Sequence, residues 1–332
     1  MRIVLISDAW HPQINGVVTT LTNTVATLKT LGHEVELITP DRFKTYPWPG
    51  YPDVGLAFLC GPKLRPIIKL FKPDAIHLVT EGPIGFAARR YCREFGYRYT
   101  SAYLSQFPDY FKLRIGFPKW ISEAYLRWFH SESAQVMVAT DSLEKEMQKR
   151  GYQHLVRWSR GVDTERFYPR PKEFISDPRP LFMFTGRVAI EKNIEAFLKL
   201  DLPGSKYVVG DGPHKELLAK KYPEVRFTGY QKGESLARFM AAADVFVFPS
   251  RTDTFGVVLL ESLACGVPVA AYPTQCAKDV ITDEKVGILS EDLRHAALSA
   301  LELDPGACRR YALNFTWEKC TQQLVDNLVC MI

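Results

Sequence analysis

Short runs of aliphatic and β-branched residues alternate with longer amphipathic segments along most of the chain. The first run, Arg2–Ser7, is apolar almost throughout, which is typical of a strand buried on both faces of a parallel sheet. A helical segment from Val17 to Leu31, closed by Gly32, and a second strand-like run, Glu34–Thr39, come next. This strand–helix–strand opening predicts a doubly wound α/β sheet.

The alternation is interrupted once, between Gly161 and Pro180, by a segment with four prolines and little periodicity. That composition is typical of a linker with restricted flexibility. The strand-and-helix pattern restarts after it and ends in a helical stretch from Trp317 to Val329. We therefore predict two α/β lobes, residues 1–165 and 166–312, and a C-terminal helix within 313–332 that packs back toward the first lobe.

Composition agrees with a folded, water-soluble chain. At 332 residues, with 46% hydrophobic and 24% charged residues, it fits two ordinary domains. No segment approaches the roughly 18 apolar residues of a spanning helix. The seven cysteines are scattered without a C-x-x-C pair, and the chain begins directly with a strand pattern, so we expect a reducing cytoplasm. The net charge of +5 fits phosphate-bearing ligands, a membrane surface or no special partner.

Two cations flank a strand-to-helix turn at T-G-R-V-A-I-E-K-N, residues 185–193. Arg187 follows a strand, and Lys192 lies in the predicted first turn of a helix that begins at Glu191. Together with the free N–H groups and the dipole of that helix, the two cations could hold an anion. The alternative is that both are solvated surface residues.

Two carboxylates mark the segment from Arg251 to Val269. Asp253 follows a strand, and Glu261 lies on an otherwise apolar helix, where a buried carboxylate needs a partner. A carboxylate can accept both hydrogen bonds of a ribose diol. A capping aspartate and a surface glutamate are an equally good interpretation.

Glycines in three strand-to-helix turns give weaker signals. Gly16 opens the first helix, where a phosphate could approach without meeting a Cβ. The absence of G-x-G-x-x-G weakens a dehydrogenase interpretation. Glu81, in the turn T-E-G-P-I-G, faces a ligand or caps the next helix, and capping is the better expectation. The glycines of the turn V-V-G-D-G-P, which include Gly210, have a conformational explanation.

Taken together, these motifs resemble glycosyltransferase family 4, the retaining enzymes with a GT-B fold. The resemblance is carried by N-G at Asn15 and Gly16, by G-R-x-x-x-E-K-N, G-D-G-P and F-x-G, and by F-G-x-x-x-x-E followed by A-x-G-x-P-V. The phrases W-S-R-G-V-D and T-E-G-P are most similar to its lipid-directed branch of α-mannosyltransferases and sulfoquinovosyl-diacylglycerol synthases.

The resemblance implies two Rossmann-like lobes facing each other across a cleft. The first lobe would bind the acceptor, a lipid or glycan, and the second a UDP- or GDP-linked sugar. Arg187, Lys192 and Asp253 would be catalytic, and no other cofactor or nucleic acid is expected. The expected donor contacts are Gly16, Gly186, Arg187, Lys192, Gly210, Tyr230, Asp253, Phe255, Gly256, Val257 and Glu261. The acceptor-side candidates are His11, Asn15, Glu81, Leu104 and Gln106. No D-x-D occurs, so no metal is expected on the diphosphate.

Two positions depart from the family pattern. Its acidic pair E-x7-E has Asp253 in the first place here, a change that could alter sugar preference. Leu104 stands where similar sequences carry a histidine against the donor sugar, and leucine forms no hydrogen bond. The alternatives to an active transferase are thus a donor-binding protein with impaired turnover and a nucleotide-sugar epimerase or hydrolase.

Two segments mix basic and aromatic residues, Lys63–Lys72 and Lys112–His130. Such segments suit a weak contact with an anionic membrane, which would make the protein peripheral on the inner face of the membrane. The alternative is that the aromatic residues belong to the core and the cations are solvated.

Overall fold

The computed structural model describes residues 1–13, 15–48, 51–104, 118–253 and 255–332, with the backbone alone for residues 48 and 51–54. The chain divides into two compact units. Met1–Ser159 and Trp317–Ile332 form the first, and Arg160–Thr316 forms the second. The second unit is slightly longer at both ends than the sequence predicted. Its two ends are joined to each other, because the amide of Val162 donates to the carbonyl of Phe315 at 3.0 Å.

The first unit is built on six parallel strands among its described residues. Their spatial order is β2-β1-β5-β6-β7-β8, and a separate antiparallel hairpin, β3–β4, was not predicted. The strands are β1 (Arg2–Ile6), β2 (Glu34–Ile38), β3 (Thr45–Trp48), β4 (Tyr51–Ala57), β5 (Ala75–Leu78), β6 (Thr100–Tyr103), β7 (Gln135–Val138) and β8 (Leu155–Arg157). The helices are α1 (Gly16–Thr30), α2 (Cys60–Phe71), α3 (Pro83–Phe95), α4 (Lys119–His130) and α5 (Asp141–Lys149).

The second unit repeats the architecture with six parallel strands in its described part, ordered β11-β10-β9-β12-β13-β14. The strands are β9 (Leu181–Thr185), β10 (Ser205–Val209), β11 (Arg226–Gly229), β12 (Val245–Phe248), β13 (Val269–Ala271) and β14 (Gly287–Leu289). The helices are α6 (Ile194–Leu198), α7 (Lys215–Lys221), α8 (Gly233–Ala242), α9 (Val257–Ala264), α10 (Gln275–Val280), α11 (Leu293–Ser299) and α12 (Pro305–Ala312). The last helix, α13 (Trp317–Asn327), packs against α1 of the first unit. Short 3₁₀ turns occur at Pro40–Arg42, Lys172–Phe174, Ile190–Lys192 and Ala300–Glu302.

Burial on both faces explains the uninterrupted apolar runs that opened the sequence pattern. Ile3, Leu5 and all residues of β9 are buried, with helices packed on either side. The prediction of two Rossmann-like, doubly wound lobes is confirmed. The strand order reverses between β1 and β5 in the first unit and between β9 and β12 in the second, and ligands bind at the carboxyl ends of the strands there.

The proline-containing segment is held firmly to the second unit. Asp244, just before β12, binds Lys172 and Arg179, each at 2.6 Å. Arg309 on α12 donates to the carbonyls of Phe167 at 2.6 Å and Thr164 at 3.0 Å. The Arg309 bonds satisfy backbone carbonyls outside the strands and helices, and the Asp244 ion pairs hold two side chains of the segment, which is thus an ordered strap on this unit.

In the part of the chain that the structure describes, every helix is too short or too polar to cross a bilayer.

Asp8, at the end of β1, fixes the start of α3. Its carboxylate accepts hydrogen bonds from the amides of Ile84 at 2.7 Å and Gly85 at 3.2 Å and from the hydroxyl of Thr80 at 3.0 Å. Gly82 is required beside it, because a Cβ there would lie 2.4 Å from Cγ of Asp8. Burial raises the pKa of Asp8 to about 6, although the amide hydrogen bonds oppose the rise.

We expect Asp8→Ala to lower the free energy of unfolding by about 1–2 kcal/mol, because two amides of the first turn of α3 lose their acceptor. Asp8→Asn keeps one acceptor oxygen and should lose less. Urea unfolding of the three proteins measures the difference, and equal stability of Asp8→Ala and the parent would contradict the capping role.

Candidate functional site

Arg187 and Lys192 lie in the turn that follows β9, at the switch point of the second sheet. The helix predicted from Glu191 does not begin there. Residues Ile190–Lys192 form a 3₁₀ turn, Asn193 has a φ of 51°, and α6 begins at Ile194 and is only five residues long. The expectation that Lys192 lies in the first turn of an α-helix was therefore wrong. The left-handed Asn193, which no apolar periodicity reveals, separates the lysine from the helix.

Lys192 meets Asp253 from the neighbouring strand end. The Nζ of Lys192 donates to Oδ1 of Asp253, and the two side chains are only 23% and 13% exposed. The second oxygen of Asp253, Oδ2, is buried and accepts no hydrogen bond from a described residue. A buried polar atom normally has a partner, so Oδ2 is a ready acceptor for a ligand hydroxyl.

A helix start suited to an anion is present, but it belongs to α9. Gly256 occupies the N-cap with a φ of 72° and has no side chain to accept from the first-turn amides. A Cβ there would approach Leu259 and Phe248 within 3.2 Å. The positive helix end that the sequence analysis placed after Arg187 is thus at Val257, three helices farther along the chain than α6.

Glycines allow the strand ends of the second sheet to pack closely. Gly186 and Gly210 have φ angles of 149° and 154°, and a Cβ on Gly210 would lie 1.9 Å from the carbonyl oxygen of Gly186. The amide of Gly210 also donates to Gly229 at 2.9 Å. The conformational explanation therefore accounts for Gly210. Tyr230, the next residue after β11, is exposed.

Glu261 lies on α9, one turn beyond Val257. Its side chain is half-buried, and desolvation raises the pKa of its carboxyl group to about 7, while the positive charge of Arg166 opposes the rise. No described residue donates a hydrogen bond to this carboxylate. An unpaired, partly desolvated carboxylate is suited to a ligand that brings its own hydrogen-bond donors.

In the first unit, Asn15 is the N-cap of α1. Its Oδ1 accepts from the amides of Val17 and Val18, both at 3.0 Å, so its role here is structural. A Cβ on Gly16 would meet no protein atom within 4 Å, so protein packing does not explain a glycine at this position. His11 is exposed, with its ring centroid 5.0 Å from that of Trp10.

Glu81 neither caps α3 nor faces solvent. Its Oε1 lies 3.2 Å from Nε2 of His130, and Nδ1 of that ring lies 2.7 Å from the hydroxyl of Ser101, which contacts Ser133 at 2.7 Å. All four residues are buried. The preferred capping interpretation of Glu81 was wrong. The cap is Asp8, which the sequence analysis missed. The only signal for it in the sequence is a polar residue two positions after a buried strand.

Leu104 follows β6 and is buried, 7% exposed. Gln106 lies outside the described residues. The described acceptor-side candidates thus have four different environments. Asn15 is a helix cap, Glu81 a buried carboxylate, Leu104 a buried apolar residue and His11 an exposed one.

Comparison with known protein families adds to this geometry. Residues 14–166 match the family model described as Glycosyltransferase Family 4, and residues 179–303 match the one described as Glycosyl transferases group 1. The two matches cover both units and leave out only the strap and the chain ends. The chain belongs to glycosyltransferase family 4.

Relatives of this family 4 glycosyltransferase include two transferases named for their sugars and one enzyme named for a lipid product. A GDP-mannose-dependent alpha-mannosyltransferase of Mycobacterium tuberculosis is 28% identical over 87% of this chain and 83% of its own. A sulfoquinovosyl transferase of Arabidopsis thaliana is 30% identical over 80% of this chain and 58% of its own. An alpha-monoglucosyldiacylglycerol synthase of Streptococcus pneumoniae is 27% identical over 92% and 79%.

Solved structures confirm the fold. A sucrose-phosphate synthase from Thermosynechococcus elongatus has a TM-score of 0.79 at 19% identity and covers 98% of this chain and 97% of its own. Anabaena HepE in complex with UDP-glucose has a TM-score of 0.72 at 15% identity over 98% of each chain. The fold is GT-B, as the motifs implied, and the chain is a glycosyltransferase. The epimerase or hydrolase alternative is not favoured.

The pKa of Glu261 predicts a pH-dependent affinity. If ribose hydroxyls donate to this carboxylate, the ionised form binds better, and the affinity for a nucleotide sugar rises between pH 6 and pH 8. Titration calorimetry with UDP-glucose and GDP-mannose over that range measures the effect. In Glu261→Gln the dependence should be absent, and its persistence there would assign it to another group.

Proposed function

We propose that this enzyme transfers a hexosyl group, mannose or a glucose-like sugar, from a UDP- or GDP-linked donor to a lipid or glycolipid with retention of configuration. The observation that carries the proposal is the ion pair of Lys192 and Asp253 at the switch point of the second sheet. A cation for phosphate and a carboxylate for hydroxyl groups are thereby held in contact before any donor binds. The name of one relative, the alpha-monoglucosyldiacylglycerol synthase, supports the acceptor class.

The donor diphosphate would be neutralised by Arg187 and Lys192 and would lie against the first-turn amides of α9. As the glycosidic bond breaks, negative charge grows on the leaving phosphate. Cations and amides that are already positioned stabilise this charge without reorganising. We propose that they replace a metal ion, so that the reaction is metal-independent and needs no cofactor besides the donor.

The sugar and the nucleoside would occupy opposite sides of this diphosphate site. Oδ2 of Asp253, which accepts from no described residue, would bind a hydroxyl of the transferred sugar, with Phe255 packed beneath the loop. Glu261 would accept from the ribose diol, and the exposed Tyr230 would border the base. The departing phosphate would take the proton of the acceptor hydroxyl on the same face, which retains the configuration.

Leu104 does not argue against turnover in this mechanism. Arg187 and Lys192, the cations proposed to stabilise the leaving phosphate, belong to the second unit, whereas the resemblance would place the missing histidine against the donor sugar. The acceptor would bind in the first unit, and we propose that the protein is cytoplasmic and contacts the inner face of an anionic membrane. The alternative, a protein that binds the donor but has impaired turnover, is distinguished by one measurement, because such a protein would release little or no nucleotide.

Lys192→Gln should lower kcat about 100-fold, or about 3 kcal/mol, because the variant keeps a hydrogen bond to Asp253 but loses the charge that faces the leaving phosphate. The measurement is release of nucleotide from UDP-glucose and GDP-mannose with lipid acceptors. Lys199→Gln, an exposed lysine of the same unit, is the control and should act as the parent. Equal turnover of the two variants would remove the proposed role of Lys192, and no release by the parent protein would favour impaired turnover.

Gly16→Ala tests the proposed approach of the diphosphate to α1. Gly61, near the start of α2, is a matched control, since neither position has a protein atom within 4 Å of an added Cβ. Both substitutions should raise the free energy of unfolding by about 0.4–1 kcal/mol. Only Gly16→Ala should weaken binding of the nucleotide sugar, by about tenfold. Unchanged affinity in calorimetry would remove Gly16 from the donor site.

A further inference from the structure

Arg170, in the middle of the strap, binds the start of α8. Its guanidinium pairs with the carboxylate of Glu234 through two nitrogens, Nη1 to Oε1 and, at 3.0 Å, Nη2 to Oε2. Nη2 also donates to the carbonyl of Arg166 at 2.8 Å. The side chain of Arg170 is 9% exposed, and its guanidinium lies 4.2 Å from the ring centroid of Tyr168. Two parallel bonds from a planar guanidinium fix the orientation of the carboxylate, which a single surface ion pair does not.

The ion pair lies directly after the loop that holds Tyr230, the residue proposed to border the base. This base loop, residues 230–232, connects β11 to α8. The glycines on either side of it, Gly229 and Gly233, have φ angles of 73° and 55°. Glycine permits many backbone conformations, so the arrangement of the base loop depends on the contacts of side chains nearby.

Side-chain hydrogen bonds connect the base loop to α8. The amide nitrogen of the Gln231 side chain donates to the carbonyl of Thr228 at 3.2 Å, and its oxygen accepts from the hydroxyl of Ser235 at 2.6 Å. Ser235 follows Glu234 in the first turn of α8. A shift of this helix start would therefore move Gln231, and the neighbouring Tyr230 with it.

The same guanidinium is connected to the proposed ribose contact. Arg166, whose carbonyl it binds, also pairs with Asp163 at 3.5 Å. Burial raises the pKa of Glu261, and the positive charge of Arg166 opposes that rise. Arg170 thus holds the backbone of the residue whose charge acts on the ribose carboxylate.

Other contacts hold the strap on the unit independently of Arg170. Asp244 binds Arg179 at 2.6 Å, and the ring centroids of Phe174 and Phe239 lie 5.0 Å apart. Loss of Arg170 would therefore release the start of α8 without detaching the strap.

We propose that Arg170 is a positioning residue for the nucleoside of the donor, which holds the base loop through Glu234 and the backbone of Arg166 near Glu261. The inference rests on the proposed function and deepens it. Both parts of the nucleoside site are then formed before the donor binds. Such a site binds more tightly than one that must first be ordered, because apparent affinity falls with the fraction of molecules in the competent arrangement.

The first test is calorimetry of the full-length protein with UDP-glucose and GDP-mannose. Arg170→Gln should weaken donor binding about tenfold, because the base loop then spends about a tenth of its time in the competent arrangement. Arg170→Lys keeps the charge but cannot form both parallel bonds, and it should weaken binding about threefold. Parent-like affinity in Arg170→Gln would overturn the proposal.

A double-mutant cycle tests whether Arg170 acts through Glu234. Glu234→Gln should weaken donor binding as much as Arg170→Gln does, and the variant with both substitutions should lose no more than either alone. Losses that multiply to about 100-fold would mean that the two residues act separately, against the proposal.

Arg179→Gln is a matched control from the same strap. Arg179 pairs with Asp244 and donates to the carbonyl of Ala242, at the end of α8 that is far from the base loop. Its variant should bind the donor as the parent does, and urea unfolding shows whether both arginine variants remain folded. An equal loss of affinity in Arg179→Gln would assign the effect to general loosening of the strap and contradict the specific role of Arg170.

Kinetics of nucleotide release separate positioning from catalysis. Arg170→Gln should raise the KM for the donor and leave kcat at saturating donor within about twofold of the parent, because the proposed diphosphate contacts, Arg187 and Lys192, are unchanged. A lower kcat with an unchanged KM is the result that would exclude a positioning role.

Failure of this inference and failure of the proposed function give different results. Donor binding by the parent, with equal affinity in Arg170→Gln, refutes the positioning role and leaves the transferase proposal standing. If the parent binds neither nucleotide sugar, the proposed donor is wrong, and the inference that rests on it fails as well.

Discussion

The pairing of parallel strands is the constraint on which the rest of the structure depends. Because all six described strands of each sheet run in the same direction, every strand end that can bear chemistry lies at one edge. Reversal of strand order between β9 and β12 then opens a gap at that edge, and the turns that carry Arg187, Lys192 and Asp253 adjoin it. The same constraint places Asp8 beside the turn after β5 in the first unit.

Carboxylates at these edges are stabilised in different ways. Asp8 receives two amides and a hydroxyl, and Asp253 receives the ammonium of Lys192. Glu261 has no such partner among the described residues, and its raised pKa expresses the cost of ionising it. A structural carboxylate is satisfied by its own protein, whereas one that awaits a ligand is left partly unsatisfied. That difference separates Asp8 from Glu261, and in the proposed mechanism Asp253, with one paired and one unpaired oxygen, has both roles.

The first unit combines a buried polar network with an exposed aromatic surface at the same loop. Glu81 uses its carboxylate for His130 and its carbonyl for Tyr125, so one residue connects the buried network to an exposed ring of α4. The relatives are named for the transfer of mannose, of sulfoquinovose and of glucose to diacylglycerol, so one family includes enzymes for different sugars. The side chains of this protein, and not its fold, therefore determine which sugar and which acceptor it uses.

The sequence by itself determined the two α/β lobes, the irregular proline-containing segment that begins the second one, and the positions of Arg187, Asp253 and Glu261 at strand ends or on the helix that follows. Apolar runs and glycine turns are local patterns, and such patterns can be recognised in the sequence without knowledge of the fold. Only the tertiary structure decided that Asn193 separates Lys192 from α6, that Asp8 caps α3 in place of Glu81, and that Trp120 is exposed while Phe129 is buried. These three features depend on residues far apart in the chain or on a single backbone angle. Neither cause produces a periodic pattern in the sequence.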